Sequence, residues 1–202
     1  MMQSILLPIF PLNAVIFPDS KIFLRIFEPR YLKMVSRSIK KSSYFAIIKT
    51  REDANYHGVM ATYVKVVSWE GDDKGVLSIL VEGVGKCKIN NYYFEEDNLC
   101  MAKVTIFEKQ QAIKVPKKYQ CLSKFLQELY EKFNSDYQKE YYVYQMDDAN
   151  WLSYRLGEVI NLSNDLKQDI LETQDPIHRL EKIYEGIFIS DIHFGEENNT
   201  IQ

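Results

Sequence analysis

The chain is poor in the residues that build catalytic and metal centres. Its three cysteines, Cys87, Cys100 and Cys121, are widely spaced and form no Cys-x-x-Cys pair. That excludes a disulfide framework and a thiolate zinc site, and it fits a reducing compartment. The three histidines, His57, His178 and His193, are equally scattered. No Gly-x-x-x-x-Gly-Lys-Ser/Thr loop occurs, so the phosphate cradle of the P-loop nucleotide hydrolases is missing. No cofactor and no metal are expected. No segment approaches the roughly 20 apolar residues that span a bilayer. The apolar start MMQSILLPIFPL lacks a basic n-region and is cut by Pro8 and Pro11, so it does not read as a signal peptide. A cytoplasmic location is expected. Excess positive charge is absent too: 25 Lys and Arg against 28 Asp and Glu leave a net charge of −3. That argues against a broad phosphate-binding face.

What remains is ordinary globular material. The 202 residues, 46% hydrophobic and 26% charged, fit one large domain or two small ones. Tyrosine is abundant, 14 against two tryptophans, and suits amphipathic cover at domain edges. The densest signal lies between Leu7 and Val35. Pro8, Pro11 and Pro18 break an apolar run. Ile22, Leu24 and Ile26 then alternate with Lys21 and Arg25, the pattern of a half-buried strand. Glu28-Pro29-Arg30-Tyr31 opens a helix, with Pro29 where its missing N–H costs nothing. That helix runs to about Lys40, with Leu32, Val35 and Ile39 on one face.

Further apolar runs at Tyr44–Thr50, Val59–Trp69, Val76–Glu82 and Leu99–Phe107 predict strands. Gly71-Asp72-Asp73-Lys74-Gly75 is a turn, and Gly83 and Gly85 mark a bulge or barrel corner. Short strands plus one helix suggest a small, partly open β-barrel. Beyond Val115-Pro116 the period becomes helical. Leu122, Phe125, Leu126, Leu129, Tyr130 and Phe133 form an amphipathic stripe. Residues 134–147 read as a loop or a poorly packed helix. Asp148, Ser163 and Asp175, the last followed by Pro176, are N-caps of three further helices. The expected organisation is a β-rich part over residues 1–112, a helical bundle over 113–194 and a frayed tail over 195–202.

Two blocks, LPIFPLNAVIFP and RIFEPRYLKMV, resemble the opening of the Lon substrate-binding domain, the N-terminal domain of the Lon proteases. Gly58-Val59-Met60-Ala61, VLSILVEGVGKCK from Val76 to Lys88, WLSYRL from Trp151, LKQDILE from Leu166 and Arg179-Leu180 are similar to its later blocks. The resemblance implies an α+β fold, a PUA-like β pseudo-barrel with one helix followed by a C-terminal helical bundle. It also implies a stand-alone module that binds and does not cut, since full Lon proteases append ATPase and Ser–Lys protease domains. The expected ligand is an unfolded or partner polypeptide, in a setting of protein quality control or proteolysis. No nucleic acid and no membrane are expected, and weak homo-oligomerisation is left open. The alternative is an adaptor with one specific partner, as in some ubiquitin-ligase receptors. RNA binding, which many PUA domains perform, is the third reading. The sequence departs from the family at Asp19, where a glycine usually turns the chain, and beside Gly58, where a threonine is common.

Candidate ligand contacts follow. Phe10, Leu12, Phe17, Phe23 and Phe27 could line a groove for apolar segments, with Arg30 and Tyr31 beside them. Alternation points Phe23 and Phe27 away from Ile22, Leu24 and Ile26, so one of the two sets is not simple core. Arg30 could clamp a carboxylate or carbonyl; the commoner role for charges at such a junction is an ion pair or cap with Glu28 that holds the corner. Arg37, Lys40, Lys41 and Lys49, with Lys114, Lys117 and Lys118, could form a basic patch for RNA, and otherwise form a solvated helix end and linker. Asp147, Asp148, Glu95, Glu96 and Asp97 lack the convergence that acid–base catalysis needs. Ser153, Tyr154 and His178 show no nucleophile–base spacing.

Overall fold

A computed structural model describes residues 4–53, 55–72, 75–133 and 145–197, apart from the side chains of residues 133 and 188–197. The chain divides into two compact units, Met1–Lys109 and Gln110–Gln202. The first runs β1 (Ser4–Leu12), β2 (Lys21–Ile26), α1 (Pro29–Lys41), β3 (Phe45–Lys49), β4 (Met60–Gly71), β5 (Leu77–Phe94) and β6 (Cys100–Ile106). The strands form one six-stranded sheet in the order β2-β5-β4-β3-β1-β6, and β5 pairs with β6 as well. That last pairing closes five of the strands into a barrel. β5 makes it possible because it is 18 residues long. Its first half pairs with β2 and the far end of β4, and its second half with β6 and the start of β4.

Two strands are longer than their sequence suggests. β1 runs through Pro8 and Pro11 because residues 4–8 pair with β6 and residues 9–12 with β3. Each half therefore keeps one side on which a missing N–H breaks no ladder. β5 continues through Gly83 and Gly85 to Phe94. Gly83 faces Val64 and Gly85 faces Tyr63, which leaves Val84 as the extra residue of the bulge that the glycines announce.

β3 is buried on both faces. Phe45 and Ile47 join Tyr31, Met34 and Val35 of α1 with Leu24, Ile26, Ile79 and Val81. Ala46 and Ile48 join Ile9, Cys87, Ile89, Cys100 and Val104 in a second cluster. One core thus lies under α1 and the other within the barrel, and each fully buried Ile or Phe contributes about 1.5–3 kcal/mol. Burial pushes the Cys87 thiol up to about 12 and that of Cys100 to about 11, so both behave as small apolar groups. Along α1 the buried stripe is Tyr31, Met34, Val35 and Ser38, while Leu32 and Ile39 are only partly covered.

The link from β1 to β2 is locked onto β5. Pro18 and Asp19 are the central residues of a turn closed by the Ser20 N–H donating to the Phe17 carbonyl at 3.2 Å. Asp19 has φ of 62°, which with Pro18 before it gives a type II turn. The Asp19 N–H donates to the Gly83 carbonyl, and the Gly83 N–H to the Ser20 carbonyl, both at 2.8 Å. This is a G1-type bulge with aspartate at the usual glycine position. The turn keeps the left-handed geometry that glycine would supply, because Asp is among the few residues that tolerate it. The Ser20 hydroxyl accepts from the Phe17 N–H at 3.2 Å, and the Thr62 hydroxyl donates to the Ile16 carbonyl. A Cβ on Gly83 would lie 2.4 Å from the Phe17 carbonyl oxygen, so no other residue fits there without moving the turn.

Among its described residues the second unit has a 3₁₀ turn at Lys117–Tyr119 and four helices, α2 (Gln120–Phe133), α3 (Ala149–Val159), α4 (Asn164–Glu172) and α5 (Pro176–Glu197). The three caps form: Asp148 accepts from the Asn150 N–H at 3.0 Å, Ser163 from Leu166 at 3.2 Å and Asp175 from Ile177 at 2.9 Å. In α2 Leu122, Leu126 and Tyr130 are buried, but Phe125 is 42% exposed. Arg179 of α5 is fully buried and ties the unit together. Its Nε donates to Ser153 Oγ at 3.0 Å, Nη2 to Asn150 Oδ1 at 2.7 Å, and Nη1 to the Thr173 and Gln174 carbonyls at 2.9 and 3.1 Å. The Tyr154 ring centre lies 4.3 Å from its guanidinium carbon. Burial lowers the Arg179 pKa, yet guanidinium stays charged in proteins, so the donors must be satisfied internally. Most of the segment read as loop, residues 134–144, lies outside the described residues. Of the expected tail, residues 195–197 continue the backbone of α5 and residues 198–202 lie outside the described residues.

Gly83→Ala is expected to destabilise the chain by more than about 2 kcal/mol in urea unfolding, whereas Asp19→Gly is expected to be neutral or stabilising by up to about 1 kcal/mol. Equal stabilities for wild type and Gly83→Ala would contradict the close contact at Phe17.

Candidate functional site

From Phe23 onward β2 sorts its side chains by parity. Leu24 and Ile26 are buried, while Arg25 is exposed and Phe23 and Phe27 are 70% and 67% exposed. These two rings are the most exposed large apolar side chains among the described residues. Phe27 sits between the end of β2 and Pro29, so the rings mark the corner where strand turns into helix.

That corner is pinned by ion pairs. Arg30 Nε and Nη2 donate to Glu28 Oε2 at 3.0 and 2.7 Å, across Pro29. Nη1 of Arg30 reaches the Asn98 carbonyl at 3.2 Å, and its guanidinium carbon lies 4.8 Å from the Tyr31 ring centre. One turn on, Lys33 donates to Asp97 at 2.7 Å, and Arg37 to Glu95 at 3.5 Å. Positions 30, 33 and 37 share one stripe of α1. Their partners all lie in the β5–β6 turn, where Asn98 has φ of 60° and the Glu95 N–H donates to the Leu99 carbonyl at 2.9 Å. The hydrogen bond from Lys33, then that from the Leu99 N–H, holds the Asp97 carboxyl below the ordinary carboxylate range. The sequence held the signal for this zipper: bases spaced three and four apart in a helix, and Glu95-Glu96-Asp97 in a turn. Nothing local paired the two.

Phe10, Phe17 and Tyr31 are interior residues. The Phe10 ring meets Tyr31 edge-on at 4.6 Å and Phe45 at 6.4 Å, Phe17 is fully buried, and Leu12 packs partly buried on the same core. Burial raises the Tyr31 hydroxyl pKa. Four of the seven candidates therefore support the corner from beneath. Arg30 braces it from the side, and Phe23 and Phe27 face outward.

Several of the remaining candidates are engaged elsewhere. Lys114 faces Asp147 at 3.9 Å and Lys118 faces Glu181 at 3.7 Å. Asp148 caps α3 and also accepts from the Ile113 N–H at 3.1 Å. Ser153 and Tyr154 belong to the Arg179 cluster, while His178 is exposed 3.8 Å from Glu181. The helical unit has a cleft of about 370 Å³ lined by Leu166, Asp169, His178, Glu181, Lys182 and others. In it Lys182 is paired with Asp169, and the His178 ring lies 3.8 Å from Glu181. Among the described residues no three His, Cys, Asp or Glu side chains group to hold a metal, and no helix is long and apolar enough to cross a membrane.

Asp97 is expected to titrate at lower pH than a free aspartate when followed by carbon NMR, and Lys33→Ala is expected to move it upward. Because the folded carboxylate is the more acidic state, the ion pair stabilises the chain above the ordinary aspartate pKa. That contribution is lost as pH falls through the folded value. An Asp97 midpoint unchanged in Lys33→Ala would contradict the zipper.

Three comparisons bear on identity. The sequence model of the ATP-dependent protease La (LON) substrate-binding domain matches residues 6–187. Among solved structures, the chain is similar to a Lon N-terminal domain protein from Xanthomonas campestris, with a TM-score of 0.77 and 24% identity over 90% of this chain and 98% of that one. It is also similar to the N-terminal domain of the Mycobacterium avium complex Lon protease, with a TM-score of 0.65 and 16% identity over 89% and 96%. At such identities the two structures speak for the fold alone, a mixed α+β arrangement that here has six strands and five helices among the described residues. A comparison with curated protein sequences finds no match. With nearly its whole length matched by the family model and its fold shared with Lon N-terminal domains, the chain belongs to the LON substrate-binding domain family.

Proposed function

We propose that the β-rich unit is a non-catalytic surface for polypeptide segments that expose apolar side chains, with Phe23 and Phe27 as its anchors. The observation that carries this is two phenyl rings, 70% and 67% exposed, held in water at the strand-to-helix corner of a substrate-binding domain. Aromatic rings bury much area with few rotamers to freeze, which suits them to anchor binding. The Glu28–Arg30 pair and the Arg30–Asn98 contact hold the corner in place beforehand, so little ordering opposes binding. In this reading Arg30 and Tyr31 position the anchors, and Phe10, Leu12 and Phe17 form the floor beneath them. The setting is a reducing cytosol, where Cys87, Cys100 and Cys121 remain thiols. A second reading, an adaptor that docks one partner on its helices, is supported by the exposed Phe125 ring of α2.

The test is fluorescence anisotropy with a labelled, reduced and carboxymethylated protein as ligand. The double variant Phe23→Ser/Phe27→Ser is expected to weaken binding at least about tenfold, or 1.4 kcal/mol, with thermal unfolding unchanged. Phe125→Ser is expected to bind as wild type. No binding by the wild type, or loss only in Phe125→Ser, would remove the first reading, and the latter result favours the adaptor.

A further inference from the structure

β2 is an edge strand. It pairs with β5 from Lys21 opposite Glu82 to Ile26 opposite Leu77, without a register shift, and with no other strand among the described residues. The bulge at Asp19 decides which of its backbone groups face outward. The Gly83 N–H bonds the Ser20 carbonyl, so position 20 is bonded inward. Antiparallel ladders bond inward at every second residue. Positions 22, 24 and 26 therefore direct their N–H and C=O groups to β5, and those of Phe23 and Arg25 point to the open edge. The same two residues carry exposed side chains. An open strand edge beside a large exposed ring is a template for another strand.

Resting on the polypeptide-binding reading above, we propose that the bound polypeptide is an extended segment that pairs with β2 as an added strand. It lays an apolar side chain beside Phe23 and turns an acidic side chain toward Arg25. Charge selects this occupant. Phe23 and Arg25 are exposed on one face of β2, with Lys21 half-buried on the same face, and Arg25 has no acidic partner among the described residues. A second copy of β2 paired antiparallel about Phe23 would set Lys21 of each chain against Arg25 of the other, a repulsive pairing in both directions. The neighbouring open edge, β4 beyond Val64, is interrupted by the register shift between Val66 and Ser68 and carries the acidic Glu70. Bulges of that kind blunt an edge. β2 has none.

The test is backbone amide exchange of the whole chain by NMR, with a synthetic peptide repeating Glu-Thr-Phe-Thr as the probe, so that Glu and Phe alternate along one face of a strand. In the free protein the Phe23 and Arg25 amides are expected to exchange fast and that of Leu24 slowly. Saturating peptide should slow Phe23 and Arg25 by about tenfold or more and leave Leu24 unchanged. A peptide N-methylated at the alternate amides that face β2 should lose binding, and one methylated at the other set should keep it. In Arg25→Glu the preference should shift toward a peptide with Lys in place of Glu. If the peptide binds while both amides keep their free rates and both methylated peptides bind alike, the added strand is disproved and polypeptide binding stands. The same holds if an unfolded carboxymethylated protein binds but the acidic peptide does not. If neither ligand binds, both readings fall.

Discussion

The backbone contact between Gly83 and the Phe17–Ser20 turn sets the geometry on which the corner depends. With a would-be Cβ only 2.4 Å from the Phe17 carbonyl oxygen, the turn lies against β5 as closely as glycine allows. The two 2.8 Å hydrogen bonds there fix the register of β2 on β5. A slip of one residue would exchange the faces of β2. Leu24 and Ile26 would leave the core, and Phe23 would enter it. The exposure of Phe23 is therefore a consequence of a buried backbone contact, not an isolated surface feature.

The corner is also stiff for reasons that lie beneath it. Phe10, Phe45 and Tyr31 stack edge-on under α1, and the helix carries Met34 and Val35 into the same core. Its solvent side is fastened to the β5–β6 turn by Arg30, Lys33 and Arg37. Exposed ion pairs are individually weak and screened by salt, so the core supplies the stability. The pairs supply direction: they set the azimuth of α1 and hence the path of the chain through Phe27.

Much of this was legible in the sequence. The parity of Ile22, Leu24 and Ile26 against Lys21 and Arg25 placed Phe23 and Phe27 on the opposite face from those three, without deciding which face was core. Pro29, Asp148, Ser163 and Asp175 marked helix starts, because capping is a local interaction between neighbours in the chain. The misses have a shared cause. Whether Pro8 and Pro11 end a strand depends on which side of it is paired, and β1 changes partner at residue 9. Gly83 and Gly85 bend β5 without ending it, because the strand gains β6 as it leaves β2. The roles of Phe10 and Phe17 depend on β3, β5 and α1 meeting over them. The zipper between α1 and Glu95–Asn98 and the Arg179 cluster join residues far apart in the chain, and no local pattern couples them.

The central claim is that the strand-to-helix corner, and not the helical unit, meets the polypeptide. Site-specific photo-crosslinking tests it most directly, with a benzoylphenylalanine placed in turn at positions 23, 27 and 125 and a reduced, carboxymethylated protein as ligand. The expected result is crosslinked ligand at 23 and 27 and none at 125. Crosslinking confined to position 125 would contradict the claim.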